Sequence, residues 1–599
     1  MTYKAPLRDM RFVLHELFDV SAHCELLGNG LDRELIDGVL EEGARYAGEV
    51  VSPLNRNGDE QGVTLEQGVV TTPKGFREAY RQYCDNGWAS MTGPLEYGGQ
   101  GFPQMVACNF HEMLMGASLS FRVYSGLTEG AVLALHKHGS EALREAYLGK
   151  LVSGQWAGTM CLTEPQAGTD LALLRTRAEP QADGSYKVSG SKIFISGGEQ
   201  DLSENIVHLV LARLPDAPAG VKGISLFLVP KFIANPDGTP GARNALSCGA
   251  LEHKMGIKGA ATCVMNFDGA TGWLIGEANQ GLACMFTMMN DARFQVGLQG
   301  LGIGEQAFQG ALAYARERLQ SRALSGPAAP EKPADPIIHH ADVRRMLLTQ
   351  KTLVEGSRML AAYCARQLDL EHGHPDAAQR KAAGRRAALL IPMVKAFLTD
   401  MGQEVASLGV QVYGGHGYIR EWGMEQLMRD SRITQIYEGT NGIQALDLIR
   451  RKLMGDGGAE LAALQDEFAA LADAQAERAE LAELAELAGA VLARLQEWRA
   501  LTATLLDRVR ENPEEIGAAS VDFLQYSAYV LLAGFWLQAA ARAQDALEAG
   551  AAEADFYQAK LHSARFYLRR VLPRASSHRE ALLGGADCLM ALPEAHFAF

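Results

Sequence analysis

Apolar positions change their spacing twice along this chain. From Arg33 to about Leu151 they recur at helical spacing with polar punctuation between segments. Asp32 has the short acceptor side chain that opens a helix; the pattern carries that helix to Val50, and Pro53 is expected to stop it. Positions 94–101 are read as a loop, because three of the four residues 98–101 are glycine. A second helical stretch, Ser125 to His138, ends at Gly139. Near Trp156 the texture becomes short β-branched or alternating runs: Ala157 to Glu164, Ser185 to Ser196, Ile206 to Arg213, Gly223 to Pro230 and Thr262 to Phe267. Asp183-Gly184 separates two of these as a hairpin turn would. Roughly 130 residues of strands between two helical blocks predict a small barrel or sandwich set into a helical protein.

Helical spacing resumes at Gly281 and runs to Met454, broken by a Pro/Ala-rich loop at 324–333. Beyond the linker Gly455-Asp456-Gly457-Gly458, Leu461, Leu464, Phe468 and Leu471 form one apolar stripe, and Leu484, Leu487, Val491, Leu495 and Trp498 repeat it. These stripes are too short and interrupted for a coiled coil, so a bundle packed on the body is expected. The expected division is a helical domain over 1–155, a β-barrel domain over 156–285, a helical bundle over 286–455 and an additional C-terminal helical domain over 456–599. The fold class is mostly α with a central β-barrel domain.

Composition narrows the function. A hydrophobic share of 47% and a charged share of 21% describe an ordinary globular protein with large cores. A net charge of −15 argues against a nucleic-acid partner, which would need a cationic face. The nine cysteines include no Cys-x-x-Cys pair, so neither a metal site nor a disulfide framework is expected, and the chain reads as reduced and cytoplasmic. The N-terminal residues lack the apolar core of a signal peptide. The greasiest window, Tyr526 to Leu537, is about a dozen residues where a membrane span needs about 20, so it is read as a buried core helix.

Three distant segments are rich in small and hydroxyl residues: Met160 to Asp170, Lys192 to Gly198, and Gln411 to Tyr418 with its Gly414-Gly415-His416-Gly417 run. Glycines there permit close approach of a flat ligand, and hydroxyls and freed N–H groups can serve its acceptors. Taken singly, each is more simply a turn, and the glycine run lacks the setting of a dinucleotide fingerprint. A fourth segment, Arg429 to Gln444, ends one helix and opens another, with Glu438 before Gly439 at the break. A lone acid near a helix start is ordinarily a surface residue that suits the helix dipole.

In this order and at these separations, the Thr163-Glu164-Pro165-Gln166-Ala167-Gly168-Thr169-Asp170, Gly414-to-Tyr418 and Tyr437-Glu438-Gly439-Thr440 runs resemble the acyl-CoA dehydrogenase superfamily. The likeness covers about residues 35–455. The tail, with Phe556 to Lys560 and Ala564 to Tyr567, is similar to a larger bacterial subgroup carrying an extra C-terminal helical domain, which includes fatty-acyl-CoA and 3-methylmercaptopropionyl-CoA dehydrogenases. The resemblance implies FAD as cofactor and Glu438 as the base that takes the α-proton of an acyl-CoA thioester. It also implies a role for the Glu438 backbone N–H, with a ribityl hydroxyl of FAD, in binding the thioester oxygen. It implies that the Thr163 and Ser196 loops wrap the flavin, that Thr169 lies close to flavin and thioester, and that Thr440 contacts FAD beside the base. Arg318 matches an arginine on the FAD pyrophosphate of a neighbouring subunit, and Gln411 and Gly415 match contacts to that neighbour's adenosine. Arg293 matches the arginine that helps bind CoA, and Gly439 lies on the substrate side. A homodimer or homotetramer, electron-transfer flavoprotein as acceptor and a place in fatty acid β-oxidation follow from the same likeness. Medium-to-long straight acyl chains are the expected substrates, with 3-methylmercaptopropionyl-CoA as the alternative and an acyl-CoA oxidase less favoured. The chain departs from the family in three places: Phe194 stands where tryptophan is common, Arg318-Leu319-Gln320-Ser321 replaces Arg-x-x-Phe-Gly, and Gly442 replaces a polar residue. Glu129, on the helix expected to line the acyl pocket, is read as packing rather than pocket floor.

Overall fold

The computed structural model describes residues 2–478 and 482–599. Asp32 caps helix α1 (Arg33–Arg45) as expected, its side chain accepting from the Leu35 N–H at 2.8 Å. Pro53, however, does not stop the helix. A π-helical turn, Tyr46–Val51, leads straight into α2 (Ser52–Gln61), with the proline at its first turn. The wider turn accommodates a residue that has no N–H to give. Helix α3 (Phe76–Asp85) precedes the glycine loop, which holds a single 3₁₀ turn at Leu95–Tyr97. Helix α4 (Gln104–Ala117) is buried from Met105 onward. Helix α5 (Leu119–His138) starts earlier than the sequence pattern indicated and ends before Gly139.

The strand region runs from β1 (Trp156–Cys161) through β2 (Arg177–Pro180), β3 (Tyr186–Ser196), β4 (Asn205–Arg213), β5 (Ile224–Pro230) and β6 (Leu246–Leu251) to β7 (Thr262–Ile275). Strand β7 pairs antiparallel with β3 and β5, β5 with β4, and β3 with β2; β2 meets β4 through one parallel pair, Arg177 with Arg213. The pairings therefore close into a circuit, with β1 and β6 added at its flanks. The continuous apolar run of β5 is buried at every position, as expected for a strand covered on both faces. Strands β2 and β6 were not visible as periodic runs, being short and partly exposed.

Three long helices form the body: α6 (Gly281–Glu317), α7 (Ala341–Gly373) and α8 (Ala377–Tyr413). Where α6 crosses α8, a Cβ on Gly300 would lie 2.2 Å from the Leu398 carbonyl oxygen, so only glycine allows the two backbones to touch. Short helices α9 (Met424–Arg432) and α10 (Asn441–Asp447) follow.

The C-terminal region comprises α11 (Ala459–Ala476), α12 (Ala482–Glu511), α13 (Glu515–Glu548) and α14 (Ala554–Phe566), and the expected stripe residues from Leu484 to Trp498 are buried. By length and composition α13 is apolar enough to cross a membrane, but 72% of its apolar window is buried inside the protein. The sequence window understated this helix; its packing, not its length, marks it as core. A buried ionic cluster ties the region to the body. Arg358 of α7 pairs with Asp9, with Glu112 of α4 at 2.5 Å and with Glu305 of α6 at 2.6 Å. Lys560 of α14 reaches Asp9 and, at 2.8 Å, Glu355.

Candidate active site

After α9 the chain makes one 3₁₀ turn, Ile433–Gln435, and reverses into α10. The reversal takes two consecutive left-handed residues, Glu438 at φ +55° and Gly439 at φ +83°. For a non-glycine residue such backbone costs about 1–3 kcal/mol and persists only where surroundings impose it. The braces are local: Gln444 donates from its side chain to the carbonyls of Glu438 at 3.0 Å and Gly439 at 3.3 Å. Thr440 caps α10 through its hydroxyl, which accepts from the Ile443 N–H at 3.4 Å. Asn441 fastens the start of α10 to α8 by donating to the Ala396 carbonyl at 3.1 Å and to Asp400 at 2.7 Å. No backbone carbonyl among the described residues accepts from the Glu438 N–H.

Glu438 keeps a partial opening to solvent, yet the protein around it pushes its carboxyl up to about 7 through burial, against the opposing pull of Arg293 and Lys395. Arg293, on α6, is buried; its Nη1 lies 3.8 Å from Asp447, and its Nε has no partner among the described residues. Burial lowers its proton affinity while Asp447 and Glu438 support its charge. The Tyr437 hydroxyl bonds to Gln299, two turns farther along α6.

A second group gathers at the ends of β1 and β3. The Thr163 carbonyl accepts from the Ile193 N–H at 2.9 Å, and Thr262 stands opposite Ser196. Beneath them the buried Lys192 donates to the Leu162 carbonyl and to Glu164, both at 2.9 Å. Burial works against ionisation of Glu164, but the Lys192 charge and a hydrogen bond from Thr176 bring it down to about 2. Phe194, two residues before Ser196, has φ +60° and is 59% exposed. Thr169 is exposed on the connection between β1 and β2. The segment between β6 and β7 joins the loop after β3 to helix α9, which leads into the Glu438 turn: Gly197 N–H donates to the Ala261 carbonyl at 2.9 Å, and Ile257 N–H donates to Asp430 of α9 at 2.5 Å.

Arg318, Gln411 and Gly415 form a third group elsewhere. Arg318 caps the far end of α6, and with Gly415 it lines a surface cavity floored by Tyr314 and Tyr413, whose rings stack at 4.2 Å. The exposed Gln411 closes the last turn of α8 beside it. Arg293 and Arg318 lie on one unbroken helix, so at 1.5 Å per residue they are roughly 37 Å apart. One copy of the chain does not bring them to one ligand.

Residue-by-residue reading of the sequence missed Lys395, Gln444 and Lys192, which support the site from regular elements and carry no local signature. Glu129, read as packing, has these neighbours. Its carboxylate accepts from the buried Arg122 at 2.9 Å, lies 3.6 Å from His111, and lines a small cavity with Tyr80, Tyr83 and Thr128.

Four family models match the chain in order: acyl-CoA dehydrogenase N-terminal domain at 41–155, middle domain at 159–270, C-terminal domain at 279–453, and acetyl-CoA dehydrogenase C-terminal like at 461–593. The chain is 45% identical to 3-methylmercaptopropionyl-CoA dehydrogenase of Ruegeria pomeroyi, over 98% of its own length and 99% of the relative's. It is 34% identical to a broad-specificity linear acyl-CoA dehydrogenase of Mycobacterium tuberculosis, over 99% and 100% of the two lengths. Among solved structures, Megasphaera elsdenii butyryl-CoA dehydrogenase superposes with a TM-score of 0.58 at 26% identity, covering 72% of this chain and 99% of that one. Caenorhabditis elegans ACDH-11, solved with C11-CoA, shares the fold over 97% of this chain and 95% of its own, with a TM-score of 0.75 at 19% identity.

Proposed function

Because this chain belongs to the acyl-CoA dehydrogenase family, whose members depend on FAD, we propose that it desaturates an acyl-CoA thioester between Cα and Cβ, with Glu438 as the base. The observation that carries this reading is the half-buried carboxylate of Glu438, held on a strained turn beside Arg293, whose Nε has no partner among the described residues.

The residues present fit the cofactor. Phe194 holds a large exposed ring on strained backbone next to the Ser196 hydroxyl, an arrangement that gains a partner when a flat aromatic group lies against it. Thr163, Thr169, Ser196 and Thr440 would hold FAD there, and the bound flavin supplies the acceptor for the hydride from Cβ. Glu438 takes the proton from Cα. Its unpaired N–H is the donor this turn offers to the thioester oxygen as charge develops. Arg293 binds the CoA part and, with Gly439, borders the substrate. An apolar acyl group expels water from beside Glu438 and raises its proton affinity further, which matches it better to a weakly acidic α-proton.

Arg318, Gln411 and Gly415, far from Arg293 along the helices, would serve the FAD of a second copy, so the working form is a homodimer or homotetramer. Electron-transfer flavoprotein is the acceptor that the family resemblance implies for the reducing equivalents.

For the acyl group, identity over the full length to the Ruegeria enzyme favours 3-methylmercaptopropionyl-CoA. The second reading, medium-to-long linear acyl-CoA oxidised in β-oxidation, rests on the likeness to the broad-specificity linear enzyme. Flavin bleaching against a panel of acyl-CoA esters decides between them. Fastest bleaching by the thioether ester supports the first reading, and fastest bleaching by octanoyl or longer chains supports the second.

A further inference from the structure

Glu438 and Arg293 leave one buried charge beside the site without a role. Lys395 lies in the middle of α8 with no surface reaching solvent. An ammonium has three protons to donate, and leaving them unmet in the interior is costly. Its hydrogen-bond acceptor among the described residues is the side-chain oxygen of Asn441, at 2.9 Å, and no carboxylate makes a salt bridge with it there.

The groups around Glu438 make this notable. From α6 comes Arg293, whose charge is shared with Asp447 at 3.8 Å and which lies near Arg451. From α8 come Lys395 and, one turn on, Asp400. Asp400 is already occupied by three neutral donors: Asn441 at 2.7 Å, Gln435 at 2.7 Å and Gln525 at 2.6 Å. From its own turn comes Tyr437, turned to Gln299. Lys395 is thus a cation acting on Glu438 that makes no salt bridge of its own among the described residues. Asn441, three residues beyond Glu438, bonds to Lys395 and also pins the turn to α8, so one side chain fixes both the ammonium and the base.

We propose that Lys395 is a positioning residue for the base: clamped by Asn441, its ammonium favours the ionised, proton-accepting form of Glu438 and holds it ready before substrate arrives. This rests on the reading of Glu438 as base. Burial pushes the Lys395 ammonium down to about 7, with Glu438 and Asp400 acting to support its charge.

The test uses the full-length FAD-loaded enzyme with Lys395→Gln, which keeps a donor for Asn441 and removes only the charge. The readout is the pH at which the protonated-carboxyl infrared band of Glu438, identified by its loss in Glu438→Gln, is half gone. That midpoint is expected to rise by about one unit or more, a tenfold change in proton affinity, while FAD content and acyl-CoA binding stay at wild-type levels. Lys395→Arg, which keeps the charge, is expected to stay near the wild-type midpoint. Lys395→Met provides a second charge-free variant if Lys395→Gln does not load FAD. A wild-type midpoint in either folded charge-free variant overturns the proposal. The band reports Lys395–Glu438 coupling whether or not Glu438 is the base, so failure of that assignment would be seen separately, in the flavin-reduction rate of Glu438→Gln.

Discussion

The side-chain amide of Gln444 donates to the main-chain carbonyl of Glu438 across 3.0 Å, tying the first turn of α10 back to the residue whose carboxylate defines the site. The same amide holds the Gly439 carbonyl, so it braces both left-handed residues. Gln444→Leu keeps the volume and removes both bonds. It should lower stability by about 1–3 kcal/mol, measured by urea denaturation, and slow flavin reduction about tenfold or more as the carboxylate loses its fixed aim. A variant with the wild-type reduction rate would show that the turn does not need this brace.

Gly439→Ala tests the turn from the other side. A Cβ there would stand 2.7 Å from the Gln444 amide nitrogen, on backbone at φ +83° that L side chains rarely adopt. The substitution should cost about 1–3 kcal/mol and reduce the rate of flavin reduction, with FAD content largely kept because the Thr163 and Ser196 loops are untouched.

Burial raises the Glu438 carboxyl from 4.5 to about 7, so the base form accumulates only as pH passes that value. In the free enzyme, the second-order rate of flavin reduction should climb about tenfold per pH unit below 7 and level off above it. The stability effect has the opposite sense. Between pH 4.5 and 7 the native state holds a proton that the unfolded chain has released, so this residue lowers stability as pH rises through that window. Glu438→Gln should therefore gain thermal stability over wild type at pH 8 and not at pH 4.

Lys560 carries the link between the C-terminal helices and the body, reaching Asp9 and Glu355 in a buried cluster with Arg358. Lys560→Met leaves two buried carboxylates without that cation and should cost about 3–5 kcal/mol, read as a lower denaturation midpoint. An unchanged midpoint would show that apolar packing alone docks this region.

Much of this architecture was legible in the chain. The change of period near Trp156 marks the first strand, the break at Glu438-Gly439 falls between two helices, and the α1 cap at Asp32 is local chemistry. Glu438 was different: alone it looked like a surface acid, and only the motifs around it pointed to a base. Features that depend on contact between distant segments were not legible. Lys395 reads as one lysine on an amphipathic helix until α10 folds against it, and Pro53 reads as a helix stop until a π turn absorbs it. The partners of Glu129, Arg122 and His111, come together only when the helices assemble.

The most direct test of the account is stopped-flow reduction of bound FAD by acyl-CoA in Glu438→Gln. Glutamine keeps the shape and the left-handed turn while removing the base. FAD content and acyl-CoA affinity should match wild type, and flavin bleaching should slow by about 10²–10⁴-fold. Bleaching at the wild-type rate would contradict the assignment of Glu438 as the group that takes the α-proton.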